Sequence, residues 1–289
     1  MTTPEQRPLV SRRQLGAELA RLRTAKGLAL KDVAEFLGTS ATRAGRLESG
    51  KGRVTPRADE IVRLCDLYGV ESEAQVGKLL GMLPAKRQPG WWDPYREALP
   101  SGLEVLLELE TEAHSERAWE PVIVHGLLQT PDYARAILRS DPSTRPSDVD
   151  DLVEARIKRQ ELLTTSSRAP LSLWVILDES VVNRPVGGPD VMKRQIDHMI
   201  ATAELPNVTL QIVPLAKGAH PGMAGAFSLL DFEGEQPPVV YVDSVAGNLY
   251  LEKRADVRQH TTTFDLLRSM ALAPAESVTL LKQAAEEMT

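Results

Sequence analysis

The stretch from Val33 to Gly50 constrains this chain more than any other. Val33, Phe36 and Leu37 close an apolar helical pattern, Gly38 supplies the left-handed turn that ends it, and Ser40 is placed to N-cap a second short helix. Two helices joined so tightly form a helix-turn-helix. The second opens with the small residues Ala41 and Thr42, then carries Arg43 and Arg46 three apart, neighbours on one face. Such a face suits the major groove of duplex DNA.

The 289 residues carry a net charge of −6, which alone argues against a nucleic-acid partner. The charge is divided unevenly. Residues 1–90 hold 16 Lys and Arg against 10 Asp and Glu, a balance of +6, and the remainder holds 18 against 30, a balance of −12. From Ser40 to Arg57 five cations, Arg43, Arg46, Lys51, Arg53 and Arg57, accompany one acid, Glu48. That patch is the electrostatic footprint of a DNA-binding face. Lys51, Arg53 and Arg57 follow the second helix and are placed to clamp phosphate.

The length, with 42% hydrophobic residues, allows two cores, one small and one of roughly 200 residues. No apolar run reaches the roughly 18 residues that span a bilayer, and no secretory apolar segment opens the chain, so a cytoplasmic protein away from membranes is expected. The lone Cys65, between Leu64 and Leu67, reads as a buried structural thiol.

Residues 1–10 are polar and expected to lack fixed structure, and Ser11 is placed to cap the first helix. Leu15, Leu19 and Leu22 form its core stripe, and Gly27 ends it. Helices follow at 30–37, 41–49 and 57–68, with a fifth bearing Val76, Leu79, Leu80 and Leu83. This gives an all-α, five-helix domain over residues 11–83. Pro84 to Gly90 reads as a linker, which leaves residues 91–289 as a second domain.

In that domain Trp91, Trp92 and Tyr95 are read as core anchors, with an effector-pocket wall as the functional alternative. A helix over 102–114 places Glu104, Glu108, Glu110 and Glu112 on a solvated side. A strand is expected at 119–124, then a loop at 125–129, a helix from Thr130 to Arg139 and another over 148–164. The run 171–177, a helix to 205 and strand 208–213 make a parallel crossover. Short strands at 227–232, 239–242 and 249–252 suit antiparallel hairpins, and helices at 255–272 and 275–288 finish the chain. The fold class expected is multidomain, an all-α domain plus a larger mixed α/β (α+β) domain.

On Gly27-Leu28, Val33-Ala34, Leu37-Gly38, Ser40 and Arg46-Leu47-Glu48-Ser49-Gly50, residues 15–69 resemble the DNA-binding domain of Cro/cI-type (xenobiotic-response-element family) transcriptional regulators. The resemblance implies a lambda-repressor-like fold, base reading by Ala41, Thr42 and Arg46, and a phosphate or flanking-base role for Arg43. It also implies an ion pair between Glu48 and Arg23 that orients the recognition helix. Three residues depart from the family: Ala29 where an N-cap Ser or Thr is usual, Leu30 in place of glutamine, and Ala44-Gly45 within the recognition helix. One such helix reads a half-site, so a homodimer on double-stranded DNA is expected.

Trp91-Trp92, Glu110, Glu120-Pro121, Gly126-Leu127-Leu128-Gln129-Thr130, Arg159-Gln160 and Val240-Tyr241-Val242 look like the domain of unknown function attached to many such regulators in actinomycetes, the WhiJ-like group. There the resemblance implies sensing of a signal or a small partner protein rather than catalysis. His125 departs from it, standing where proline is more usual.

An enzyme is the rival class. The five histidines show no metal-ligand spacing, neither H-E-x-x-H nor C-x-x-C occurs, and Gly187-Gly188-Pro189 lacks a phosphate-loop pattern. No cofactor, metal or catalytic residue is therefore assigned. Trp92, Tyr95, His125, Glu179 and His220 are the candidates for a small-molecule effector pocket. An antitoxin-like protein that mainly docks a small partner protein is the third reading. An enclosed apolar pocket would favour the ligand, and a flat apolar patch the protein.

Overall fold

Apolar residues spaced three and four apart build the first part of the chain from helices alone. The computed structural model describes residues 8–49, 56–70, 72–83, 90–165, 169–234, 236–244 and 247–288, without the side chains of residues 8–14. Contacts divide the chain into two compact units, Met1–Gly90 and Trp91–Thr289. The linker expected at 84–90 lies outside the described residues except for Gly90.

The first unit contains α1 (Pro8–Ala25), α2 (Leu30–Leu37), α3 (Ala41–Ser49), α4 (Ala58–Tyr68) and α5 (Glu73–Gly81). Leu15, Leu19, Val33, Ile61, Leu64 and Cys65 meet in its core. A fully buried leucine or isoleucine there contributes about 1.5–3 kcal/mol relative to an exposed one. Two expectations change. The described part of the first helix already includes residues 8–10, so Ser11 lies inside it rather than capping it. Phe36 is 38% exposed instead of closing the core, and its ring lies 5.1 Å from the Arg63 guanidinium. Residues 1–7 lie outside the described residues.

The second unit contains α6 (Leu103–Glu112), β1 (Ser115–Glu120), α7 (Pro131–Ser140), α8 (Val149–Arg159), β2 (Ser172–Asp178), α9 (Glu179–Asn183) and α10 (Pro189–Thr202). It continues through β3 (Val208–Val213), β4 (Phe227–Asp231), β5 (Val239–Val242), β6 (Leu249–Leu251), α11 (Arg254–Met270) and α12 (Pro274–Glu287). The six strands lie in the order β3-β2-β1-β4-β5-β6. β1, β2 and β3 run parallel, joined by helical crossovers, and β4, β5 and β6 continue antiparallel. The outer edge of β3 is covered: Leu272 N–H donates to Ile212 O (2.8 Å), and Ile212 N–H donates to Ser277 Oγ (3.0 Å).

The two faces of the sheet differ because side chains alternate along a strand. Trp119, Ile176, Phe227, Leu229 and Val240 pack with Phe264 and Leu267 of α11. On β1 the residues between, Glu116, Ala118 and Glu120, take the opposite face. This strand starts four residues earlier than expected and stops before Pro121, which has no N–H to add to the ladder. Its polar start hides it in the sequence. Arg117 pairs with Asp231 (3.1 Å) and Glu116 with His125 (3.1 Å), so charged side chains are accommodated within a strand. The solvated acidic side expected on α6 is also corrected, since Glu110 and Glu112 are buried. Among the described residues no helix is long and apolar enough to cross a membrane.

Candidate nucleic-acid interface

Gly38, at φ 66°, ends α2 and turns the chain into α3. Ser40 Oγ accepts the Arg43 N–H at 3.2 Å, the cap that starts α3. Ala44 and Leu47 are buried, whereas Ala41, Thr42 and Arg46 are exposed on the other side of the helix. Arg46 makes no ion pair among the described residues, so its guanidinium is available to a ligand.

Three contacts fix that helix. A Cβ at Gly16 would stand 2.4 Å from Glu48 O and 2.7 Å from Leu47 O, so only glycine allows α1 to approach the end of α3 this closely. Arg23 Nε lies 2.7 Å from Glu48 Oε1 and Nη2 lies 3.0 Å from Oε2, while Nη1 donates to Leu28 O at 2.7 Å. The planar fork thereby ties α1, the connection to α2, and α3 in one geometry. From the other side, Arg43 Nη2 lies 3.0 Å from Glu60 Oε1. Glu60 is buried and also accepts the Arg57 N–H at 2.9 Å. Burial pushes its carboxyl up, but the bonds from Arg43 and the Arg57 backbone outweigh this and hold it below the ordinary value.

The expected cation patch is thus divided. Arg43 is half-buried in an internal ion pair, which competes with any contact to phosphate or a flanking base. Arg57 is exposed, with Nη2 3.4 Å from Asp59. Lys51 and Arg53 lie outside the described residues. At the start of α2, Ala29 offers no side-chain cap, but its N–H donates to Asp32 Oδ2 at 2.7 Å, so one half of a capping box survives. Glu60 and Gly16 were missed in the sequence. Glu60, three residues beyond Arg57, carried an N-terminal capping signal, and Gly16 stood beside the buried Leu15.

The second unit holds a cavity of about 300 Å³ against the polar face of the sheet. Leu103 and Leu107 of α6 and Leu152 of α8 form apolar wall, and Glu120, Arg156 and Tyr241 form polar wall. Of the five pocket candidates only His125 lines it. Trp92 is buried edge-on to Trp91, and Tyr95 Oη donates to Glu154 at 2.9 Å. Glu179 accepts the Leu215 N–H at 2.7 Å, and His220 stacks edge-on to Trp119 with Nε2 3.4 Å from Asp178. Tyr95, Glu179 and His220 thus have partners elsewhere in the fold, and Trp92 packs on its neighbour Trp91.

The charges around the cavity are of two kinds. His125 Nε2 lies 3.1 Å from Glu116, and Nδ1 accepts the Leu127 N–H at 3.3 Å. Burial opposes both charges, yet their attraction outweighs it, holding the imidazole above its ordinary value and Glu116 below. Arg159 Nε lies 2.6 Å from Glu110 Oε2, and Nη2 meets Oε1. By contrast, Arg156 donates from Nη1 to Gln129 Oε1 at 2.9 Å and has no ion pair among the described residues. Burial lowers its pKa to about 10. Glu120 has no hydrogen-bond partner for its carboxyl among the described residues, and desolvation pushes it up to about 7.

Residues 14–79 match the model of a family described as a helix-turn-helix domain, and residues 103–283 match that of a family described as a domain of unknown function (DUF5753). No curated protein and no solved structure matches the chain. The helix-turn-helix match points to a DNA-binding regulator.

Proposed function

From the premise that this chain belongs to the DUF5753 family and carries a helix-turn-helix domain ahead of the family's own, we propose that it is a sequence-specific transcriptional regulator of the Cro/cI type, with a WhiJ-like sensing domain. One observation carries the reading: α3 presents Ala41, Thr42 and Arg46 to solvent while Ala44 and Leu47 anchor its other side. Arg46 donates two hydrogen bonds to guanine O6 and N7, a contact worth about 1–3 kcal/mol of discrimination, and Thr42 offers its methyl to thymine or its hydroxyl to a base edge. Arg57, with Lys51 and Arg53, supplies affinity through phosphate and little sequence choice. Two copies of the chain read two half-sites about one helical turn apart, roughly 34 Å.

In the second unit a concave cavity with a largely apolar wall, partly open to solvent, supports small-molecule sensing over docking of a partner protein. We assign no catalytic role to His125 and His220, whose ring nitrogens bond within the fold. Mapping the genomic sites bound by the wild type and by Arg46→Ala tests the regulator reading. Site-specific enrichment is expected for the wild type alone, and identical maps would overturn the proposal. Arg46 is the better probe than Arg43, whose loss also breaks the pair with Glu60.

A further inference from the structure

We propose that the cavity beside β1 binds a small amphipathic carboxylate, its anionic head on Arg156 and Glu120 and its apolar body against α6 and α8. The inference rests on reading the second unit as a small-molecule sensor and adds the ligand's chemistry. Its volume of about 300 Å³ lies at the lower end of ligand pockets, roughly 300–1,000 Å³, and so fits a short chain or a single ring.

Arg156 has a guanidinium with five N–H donors on the cavity wall. Only its bond to Gln129 is seen, and no acid pairs with it among the described residues. Asp243, also on the cavity wall, attracts Arg156 but makes no ion pair with it among the described residues, and a desolvated cation held only at that range is costly unless something anionic completes it. The neighbouring Arg159 does not share this feature, being paired with Glu110, and His125 is paired with Glu116. Arg156 is therefore the cation at the cavity left for a ligand. Glu120 faces His125 in the following loop, Glu116 on its own strand, Arg159 on α8 and Asp243 just beyond β5. In its protonated form it donates a hydrogen bond to the same carboxylate. Leu103, Leu107, Leu138 and Leu152 supply the surface for a hydrocarbon body.

Calorimetric titration of the full chain with sodium octanoate, octanol and octylamine is the test, on the wild type, Arg156→Gln and Glu120→Gln. Octanoate is expected to bind the wild type more tightly than octylamine and to weaken about tenfold or more in Arg156→Gln, as the charge-assisted bond is lost. Octanol is expected to bind both proteins alike, which shows that the cavity of the variant is intact. Octanoate affinity is expected to fall as pH rises through about 7 in the wild type, and to flatten in Glu120→Gln. Failure of octanoate to bind at millimolar concentration, preference for octylamine, or equal octanoate binding by Arg156→Gln would overturn the ligand class. DNA binding of the same samples is measured separately. Retained DNA binding with no octanoate binding would overturn this inference and leave the regulator reading standing.

Discussion

Both units place charges inside, but they resolve them differently. In the helical unit each buried or half-buried acid of the α3 region has an arginine: Glu48 has Arg23 and Glu60 has Arg43. In the sheet unit two pairs close, Glu110 with Arg159 and Glu116 with His125, while Arg156 and Glu120 make no ion pair among the described residues around a cavity. A closed pair holds an element in place. An open charge beside a cavity keeps binding capacity in reserve for a ligand, at some cost in stability. The difference separates residues that position from residues that recognise.

The sharpest way to break that comparison is to treat the two neighbouring arginines of α8 alike. Arg159→Gln strands the buried Glu110 and is expected to cost about 3–5 kcal/mol. Arg156→Gln leaves no acid without an ion pair among the described residues and removes only the bond to the buried Gln129 Oε1, so it is expected to cost less, about 1–3 kcal/mol. Denaturant unfolding of the sheet unit checks both, and equal losses would erase the distinction. In the helical unit, Gly16→Ala drives a Cβ into the Glu48 carbonyl and is expected to cost about 1–3 kcal/mol or more. Glu48→Gln, which weakens the Arg23 fork, is expected to cost about 1–3 kcal/mol. Both variants should lower DNA affinity in a mobility-shift titration. If Glu48→Gln left stability and affinity unchanged, the fork would have no orienting role.

Burial gives two carboxyls of the sheet unit a pH signature of the same sign, Glu120 beside the cavity and Glu110 in its pair with Arg159, each pushed up to about 7. Glu120 sits near 7 in the fold against an ordinary value of 4.5, so folding takes up a proton and stability falls as pH rises between those values. The raised value of His125 acts in the same sense, its contribution being present below 6.5 and lost as pH rises through the folded value. The lowered value of Glu116 acts on the acid side, its contribution being present above 4.5 and lost as pH falls through the folded value. Thermal melts of the sheet unit are expected to shift down from pH 5 to pH 8, by roughly 2–4 °C per kcal/mol lost, with a smaller slope in Glu120→Gln. An unchanged slope in that variant would remove Glu120 from the explanation. The smallest effects lie in the helical unit. Gly45→Ala meets only Leu30 Cδ1 at 3.7 Å and is expected to stabilise by about 1 kcal/mol. Ala29→Ser restores the missing half of a capping box, for about 0.5–1 kcal/mol. Melting temperatures report both.

What could be read beforehand follows the range of the interactions involved. The bounds of α2 and α3 are those expected, because 3–4 apolar spacing, Gly38 and Ser40 are local signals. β3 and β5 are legible for the same reason, as apolar runs between turn residues. β1 was shifted because Glu116 and Arg117 read as solvent-facing until partners distant in sequence, such as Asp231, come into view. Glu110 reads as solvated in the sequence because its arginine lies 49 residues away. No local pattern distinguishes Arg156, which makes no ion pair among the described residues, from Arg159, which pairs with Glu110, although both lie on the same stretch of helix. The pairing of Arg23 with Glu48 came from the family resemblance and not from spacing.

The exposed face of α3 is where the proposal can be tested most directly. Selection of bound sequences from a pool of random duplexes, with the wild type and with Arg46→Lys, keeps the charge and removes the planar two-bond fork. The wild type is expected to enrich a motif with a guanine in each half-site, and the variant to lose that guanine while still binding DNA. The same motif from both proteins, or none from the wild type, would contradict base reading by this helix.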